Sequence, residues 1–313
     1  TPITMILSIA ALSFAYLNTS LPEPIPIISL GCLLGTLALF SLNCRRNNLL
    51  PLGAAVGFVL AIVSLVLSFV VDGPLSVVCR LSTAAALLPL FPLHVSYVGS
   101  LTSLPGASPA FLAIVLPCLG WHTIVANVPV IPQPFAEIVT AIAVVGALVT
   151  AIRTSVQIDL TRIFASVGTI LLAPVWLAMG TGAKVNSETG WYLMSVSVVT
   201  SGLLLCAHHL ESRYGTRLLE HLQGLAQPMP RLSILLGLFV MAAAGGPAFA
   251  VFSMSMAMGQ ASNQLHVLVL APAVWFVSSL LLVSVMQRLV FGKPRSDLVY
   301  EDLGLCDAGA LIL

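Results

Sequence analysis

Apolar residues run along the chain in long blocks, separated by short stretches that carry nearly all of its charge. A helix needs about 20 mostly apolar residues to cross a hydrocarbon core, with roughly 17 to 25 as the working range. That ruler predicts ten spans, at 3–18, 25–43, 52–71, 75–97, 109–128, 135–152, 163–179, 190–208, 232–258 and 266–290. The first block lacks a basic leader and a small-residue cleavage site, so it is predicted to span the membrane rather than to act as a signal peptide. The basic residues test the count independently, because short inner loops collect Lys and Arg. With ten alternating spans, Arg45, Arg46, Arg153, Arg162, Arg213, Arg217, Arg231, Arg288, Lys293 and Arg295 fall on one side, and only Arg80 and Lys184 on the other. This bias predicts the N-terminus and the end of the last span inside. Trp121, Trp191 and Tyr192 lie near predicted helix ends, where they read as interfacial anchors or as packing residues.

Two spans carry helix breakers. The fourth has Pro89 and Pro92, the latter within Leu90-Phe91-Pro92-Leu93-His94, and the ninth has Gly245-Gly246-Pro247. Each is the fourth helix of a set of five. Because five is odd, two such sets lie in opposite topology, and matched interruptions in two halves point to an inverted-repeat transporter site. The alternative is that Pro and Gly are simply common in membrane helices. The predicted fold is an all-α polytopic membrane protein of ten transmembrane helices in two inverted five-helix repeats, the fourth helix of each broken. The expected domains are 1–130 and 131–290 for the repeats and 291–313 for a C-terminal tail.

Composition removes several function classes. Hydrophobic residues make up 58% and charged ones 7%, against about 25% charged in a soluble domain, and the mean hydropathy is +1.07. A net charge of +1 supplies no basic field for nucleic acid. Cys32, Cys44, Cys79, Cys118, Cys206 and Cys306 show no Cys-x-x-Cys spacing, which argues against a disulfide framework or a metal or iron-sulfur site. The histidines are His94, His122, His208, His209, His221 and His266, and no two repeat at similar depth on two helices as axial haem ligands would. Met254, Met256 and Met258 are spaced by two, so they do not share one helical face as soft copper ligands and read as gap-filling. No phosphate loop, nucleophile–base pair or nicotinamide fingerprint is present.

The most specific string runs Gln157-Ile158-Asp159-Leu160-Thr161-Arg162-Ile163-Phe164-Ala165-Ser166-Val167-Gly168. Locally, Asp159 at the start of a helix favours its positive end. The string also resembles a Gln-x-Asp-Leu-Lys-Arg-x-x-Ala-x-Ser-Ser loop of the antiporter-like subunits of respiratory NADH:ubiquinone oxidoreductase. Three further stretches are similar in the same order: Phe91-Pro92-Leu93-His94 with Pro105-Gly106-Ala107-Ser108-Pro109, then Arg213-Tyr214-Gly215-Thr216-Arg217 with Gly224-Leu225-Ala226-Gln227-Pro228-Met229-Pro230, and then Phe291-Gly292 with Asp302-Leu303. The subunit 4 branch fits better than 2 or 5, and the resemblance extends from about residue 23 to the end. It implies two inverted repeats with broken fourth helices. It also implies that the ten spans correspond to the family's fourth to thirteenth helices.

By that resemblance, the chain contributes to proton translocation coupled to electron transfer from NADH to ubiquinone, within a mitochondrial inner membrane. NADH, FMN, iron-sulfur clusters and ubiquinone would belong to other subunits, with no cofactor or metal bound here. The expected partners are other membrane-arm subunits, especially neighbouring antiporter-like ones, and membrane lipids. Where the family carries two lysines and a glutamate, this chain has Leu88, Cys118 and Ser253, none of which can carry a proton at neutral pH. Glu23 matches a family glutamate and is a candidate proton-path residue; its alternative is a carboxylate at the outer interface, between Pro22 and Pro24. His94 is a candidate relay, or else a polar cap on the broken backbone. Glu137 reads as a solvated or helix-dipole charge. Two competing functions are a structural subunit that has lost its own channel, favoured by the charge-free runs 81–136 and 232–287, and an Mrp-like cation/proton antiporter subunit.

Overall fold

The computed structural model describes residues 52–104, 106–127, 131–180, 187–262, 265–292 and Asp302. The predicted spans 3–18 and 25–43, and Glu23 between them, lie outside the described residues. Ten α-helices and no strand occur among those described: α1 (Leu52–Val70), α2 (Pro74–Leu87), α3 (His94–Ser103), α4 (Ser108–Asn127), α5 (Gln133–Ser155), α6 (Leu160–Met179), α7 (Ser187–Tyr214), α8 (Pro230–Ala243), α9 (Ala250–Ser262) and α10 (Leu265–Leu289). A single 3₁₀ turn covers Leu219–His221. The predicted spans 75–97 and 232–258 are each two helices, α2 with α3 and α8 with α9, parted at the prolines and glycines.

Among the described residues, five stretches are long and apolar enough to cross a membrane: Ser108–Val125, Phe135–Ser155, Leu160–Met179, Ser187–Tyr214 and Pro272–Leu289. The predicted span 190–208 ends early. Helix α7 runs on to Tyr214, because His208, His209, Leu210, Glu211, Ser212 and Arg213 continue a helix after the apolar run has stopped. His208 and His209 therefore sit more than a turn inside the helix rather than against a loop.

The chain forms two compact units, one from the described residues of Thr1–Leu104 and Val115–Val130, the other from those of Pro105–Ile114 and Ile131–Leu313. In the first unit, α1 packs on α2 and α3. Gly57 of α1 lies so close to Ser96 of α3 that an added methyl would overlap that side chain. In the second unit α6 is the central post, apolar around its whole circumference and buried at nearly every position, as such a helix must be. Helices α5, α7 and α10 pack around it. Ala147 and Ala151 of α5, Ile170 and Ala173 of α6 and Val274 of α10 form one cluster. Small residues let backbones approach closely at such interfaces; Gly168 lies against Thr200 of α7 and Gly180 against Thr140 of α5.

The outward faces are apolar. Val56, Val59, Leu60, Val63, Val66, Leu67 and Val70 form an exposed stripe on α1, and Val269, Phe276, Leu280 and Val283 one on α10. In water such stripes would be aggregation surfaces; in hydrocarbon they are the expected exterior. Inside, hydroxyls bond back to the helix they belong to. Thr123, Thr150, Thr154 and Thr200 each donate to the carbonyl four residues earlier, at 2.7–2.8 Å. This satisfies polar groups where no water competes.

Candidate functional site

The first break, in the first unit, is dictated by proline. Pro89 biases the residue before it away from the helical region, and Leu88 is extended, with φ −91° and ψ 102°. The Leu88 amide still donates to Ala84 O at 2.7 Å and Leu90 N to Ala85 O at 3.1 Å, and the Phe91–Pro92 bond is cis. Helix α3 restarts at His94, whose amide donates to Leu90 O at 2.9 Å. The break frees carbonyls that must find donors. Ser96 Oγ lies within reach of two such carbonyls, Leu93 O at 2.6 Å and, across the gap, Ala86 O at 3.1 Å, with one proton to share between them. The His94 ring is buried and stacks on Phe91 at 5.5 Å. Ser96, Tyr97 and Ser100 are buried beyond it on the same helix, and Tyr97 Oη has no hydrogen-bond partner among the described residues.

Leu88 and Cys118 are the positions at which the resemblance drawn from the sequence implies lysines. Leu88 is wholly buried, and Cys118 is part-buried on α4. Two residues beyond Cys118, Gly120 abuts the break: an added Cβ would stand 2.6 Å from Leu88 N and 2.7 Å from Leu88 Cβ.

The second break, in the second unit, is a glycine-terminated helix end. Gly245 takes a left-handed φ of +75°. Its amide donates to Ala242 O at 3.2 Å and that of Gly246 to Met241 O at 2.9 Å, the paired bonds of a Schellman cap. Pro247 follows and cannot continue the helix. Ser253, the third position expected to ionise, has an exposed side chain whose hydroxyl donates to Ala250 O at 3.2 Å. Trp275 of α10 fills the inner side of this turn, a residue that nothing in its own sequence neighbourhood singles out.

The motif loop Gln157–Asp159–Arg162 lies at the α5–α6 junction. Asp159 caps α6, its Oδ1 accepting from Arg162 N at 3.0 Å. The same loop is laced to a second motif string: Leu160 N donates to Arg217 O and Leu219 N to Ile158 O, both at 2.9 Å, around an antiparallel bridge of Asp159 with Leu218. Arg217 pairs with Glu211 at 2.6 Å. The Gly224-Leu225-Ala226 string donates to Leu289 O and Val290 O at 3.1 and 3.0 Å, closing the end of α10 beside Gly292. Asp302 accepts from Arg231 N and Leu232 N at 3.1 and 3.4 Å, and its carbonyl accepts from Arg213 Nη1 at 3.2 Å. Motif strings far apart in sequence are thus one hydrogen-bonded platform at one end of the second unit. Glu137 is exposed on α5. Among the described residues no group of His, Cys, Asp or Glu could hold a metal ion.

A family described as NADH:quinone oxidoreductase/Mrp antiporter, TM, matches residues 28–281. The chain belongs to this family. Among its relatives is NADH-ubiquinone oxidoreductase chain 4 of Marchantia polymorpha, 26% identical over 226 residues, which cover 69% of this chain and 46% of that one. Another is the chain 4 of Dictyostelium citrinum, 29% identical over 174 residues, covering 54% and 41% respectively. The chain spans less than half the length of both. As a member of the NADH:quinone oxidoreductase/Mrp antiporter family it also shares its fold with a chain of respiratory complex I from Thermus thermophilus (TM-score 0.70, 19% identity, covering 92% of this chain and 66% of that one). A chain of the Mrp complex from Dietzia sp. DQ12-45-1b fits similarly (TM-score 0.69, 16% identity, 94% and 66%).

Proposed function

We propose that this chain works as an antiporter-like membrane-arm subunit of respiratory NADH:ubiquinone oxidoreductase, of the subunit 4 type, and contributes to proton translocation coupled to electron transfer from NADH to ubiquinone. The observation that carries the reading is the family match over 28–281, with relatives named chain 4 of that enzyme. Ten spanning helices in two inverted five-helix repeats, at 1–130 and 131–290 with a tail at 291–313, complete the architecture proposed here. The chain binds no redox cofactor. Its partners are neighbouring antiporter-like subunits and membrane lipid, and its place is the mitochondrial inner membrane.

Within the chain, the proposed proton path uses Glu23 and His94. A route through the first unit is supported by the row of buried polar groups on α3, and by the Tyr97 hydroxyl that has no partner among the described residues. Buried polar groups of that kind are commonly satisfied by internal water.

The second reading is a structural subunit without its own channel. It is favoured by one observation: Leu88, sealed by Gly120, occupies a position where a lysine is expected. Gentle solubilisation, a blue-native gel stained for NADH oxidation and mass spectrometry of the bands test the main reading. Co-migration with a large NADH-oxidising band is expected. Migration as a small separate species would replace the assignment with an independent antiporter.

A further inference from the structure

Non-helical backbone at membrane depth survives only where protein buries it or where it lines a water-filled cavity. The turn between α8 and α9 shows which applies on its inner side. The six-membered ring of Trp275 lies there, with ring atoms 3.1–3.4 Å from where a Gly245 Cβ would stand. With a Cβ here the ring would have to give by a few tenths of an ångström, and glycine adopts φ +75° without strain. Phe252 of α9 stacks on Trp275 at 6.2 Å and an interplanar angle of 18°, and Tyr192 of α7 tilts against it at 6.4 Å. Elements α7, α9, α10 and the turn itself therefore meet on one indole.

Two hydroxyls beside the ring are engaged by protein, while Trp275 Nε1 is itself buried with no hydrogen-bond partner among the described residues. Tyr192 Oη donates to Leu171 O at 2.8 Å, and Ser279 Oγ shares its one proton between Trp275 O at 2.9 Å and Ala244 O at 3.2 Å. No Asp, Glu, Lys or Arg occurs between 232 and 287. The outer part of the turn is Pro247 and Ala248, both exposed, the first with no amide to hydrate.

We infer that Trp275, backed by Phe252 and Tyr192, is an aromatic plug that closes the α8–α9 break to water from inside the second unit. Apolar constrictions of this kind exclude water by dewetting. The plug rests on the membrane-spanning assignment but not on whether the chain pumps: a pumping chain would route its protons elsewhere than through this turn.

Amide hydrogen exchange in the intact assembly, read on the peptide containing residues 244–249, tests the plug without any turnover. The wild-type peptide should exchange slowly. Trp275→Ala should speed it by about tenfold or more, equivalent to about 1.4 kcal/mol of protection, while Trp275→Phe stays near wild type and peptides from α6 remain unchanged. If Trp275→Ala does not assemble, Phe252→Ala supplies the same readout with a smaller expected rise. Fast exchange in the wild type, or unchanged exchange in an assembled Trp275→Ala or Phe252→Ala variant, overturns the inference. Loss of co-migration with NADH oxidation would overturn the functional reading and leave this result standing.

Discussion

At Gly120 the first unit has no room for a single added carbon. The atoms an added Cβ would meet are the amide nitrogen and the Cβ of Leu88, at 2.6 and 2.7 Å, and neither is the movable end of a long side chain. Gly120→Ala should therefore destabilise the protein by about 1–3 kcal/mol, the usual cost of overpacking, despite the better helix propensity of alanine. Gly237 on α8 is the matched control: an added Cβ there would meet only Met286 Cε, at 3.7 Å. Gly237→Ala should be neutral or gain up to about 1 kcal/mol from propensity. Thermal unfolding in detergent of the two variants beside wild type checks the pair. Equal midpoints for both would mean that the α2–α4 contact is loose.

At the scale of elements, helix α8 begins without help from its own N-cap. Met229 occupies that position, carries no side-chain oxygen and makes no side-chain cap bond. The carboxylate comes from Asp302, about seventy residues later, accepting from the amides of Arg231 and Leu232. Asp302→Ala should cost about 0.5–2 kcal/mol, the range for losing an N-cap, and Asp302→Asn should recover most of it. Amide exchange at Arg231 and Leu232 should quicken in the alanine variant; if it does not, the C-terminal contact is not holding the helix start. Asp159→Ala at the start of α6 should cost a similar amount, measured by the same unfolding assay, because there too one carboxylate oxygen accepts a first-turn amide. The two caps differ in legibility. Asp159 sits beside the amide it serves and could be read from the string Gln157 to Arg162, whereas Asp302 serves a helix that sequence spacing never links to it. The same contrast separates the breaks from their fillings. Pro89, Pro92 and Gly245 to Pro247 interrupt their own backbone, so the interruptions were readable. Trp275, Ser96 and Gly120 act on residues in other helices, and only packing reveals them. Hydropathy misjudged α7 for a related reason: it follows solvent preference, while the helix persists through Glu211 and Arg213 on hydrogen bonding and propensity.

For the whole molecule, the two breaks are chemically unlike. In the first unit His94, Ser96, Tyr97 and Ser100 are buried on the helix that restarts the chain. In the second, Trp275, Phe252 and Tyr192 crowd the turn. If the chain carries protons, the polar unit is therefore the one to perturb, and His94 is its buried group able to ionise near neutral pH. His94→Asn retains a polar side chain of similar reach but cannot exchange a proton at neutral pH. In coupled membrane vesicles it should lower the protons moved per NADH oxidised, with the NADH-oxidising band on a native gel unchanged in amount. His94→Leu should do the same and also weaken assembly, because it replaces a buried polar side chain at the point where α3 restarts. Trp275→Phe should leave the ratio unaltered, since an aromatic ring still covers the turn. An unaltered ratio in an assembled His94→Asn variant would remove this residue from any proton path. With Leu88 in place of an expected lysine, that outcome would favour the chain as a channel-less spacer in the membrane arm.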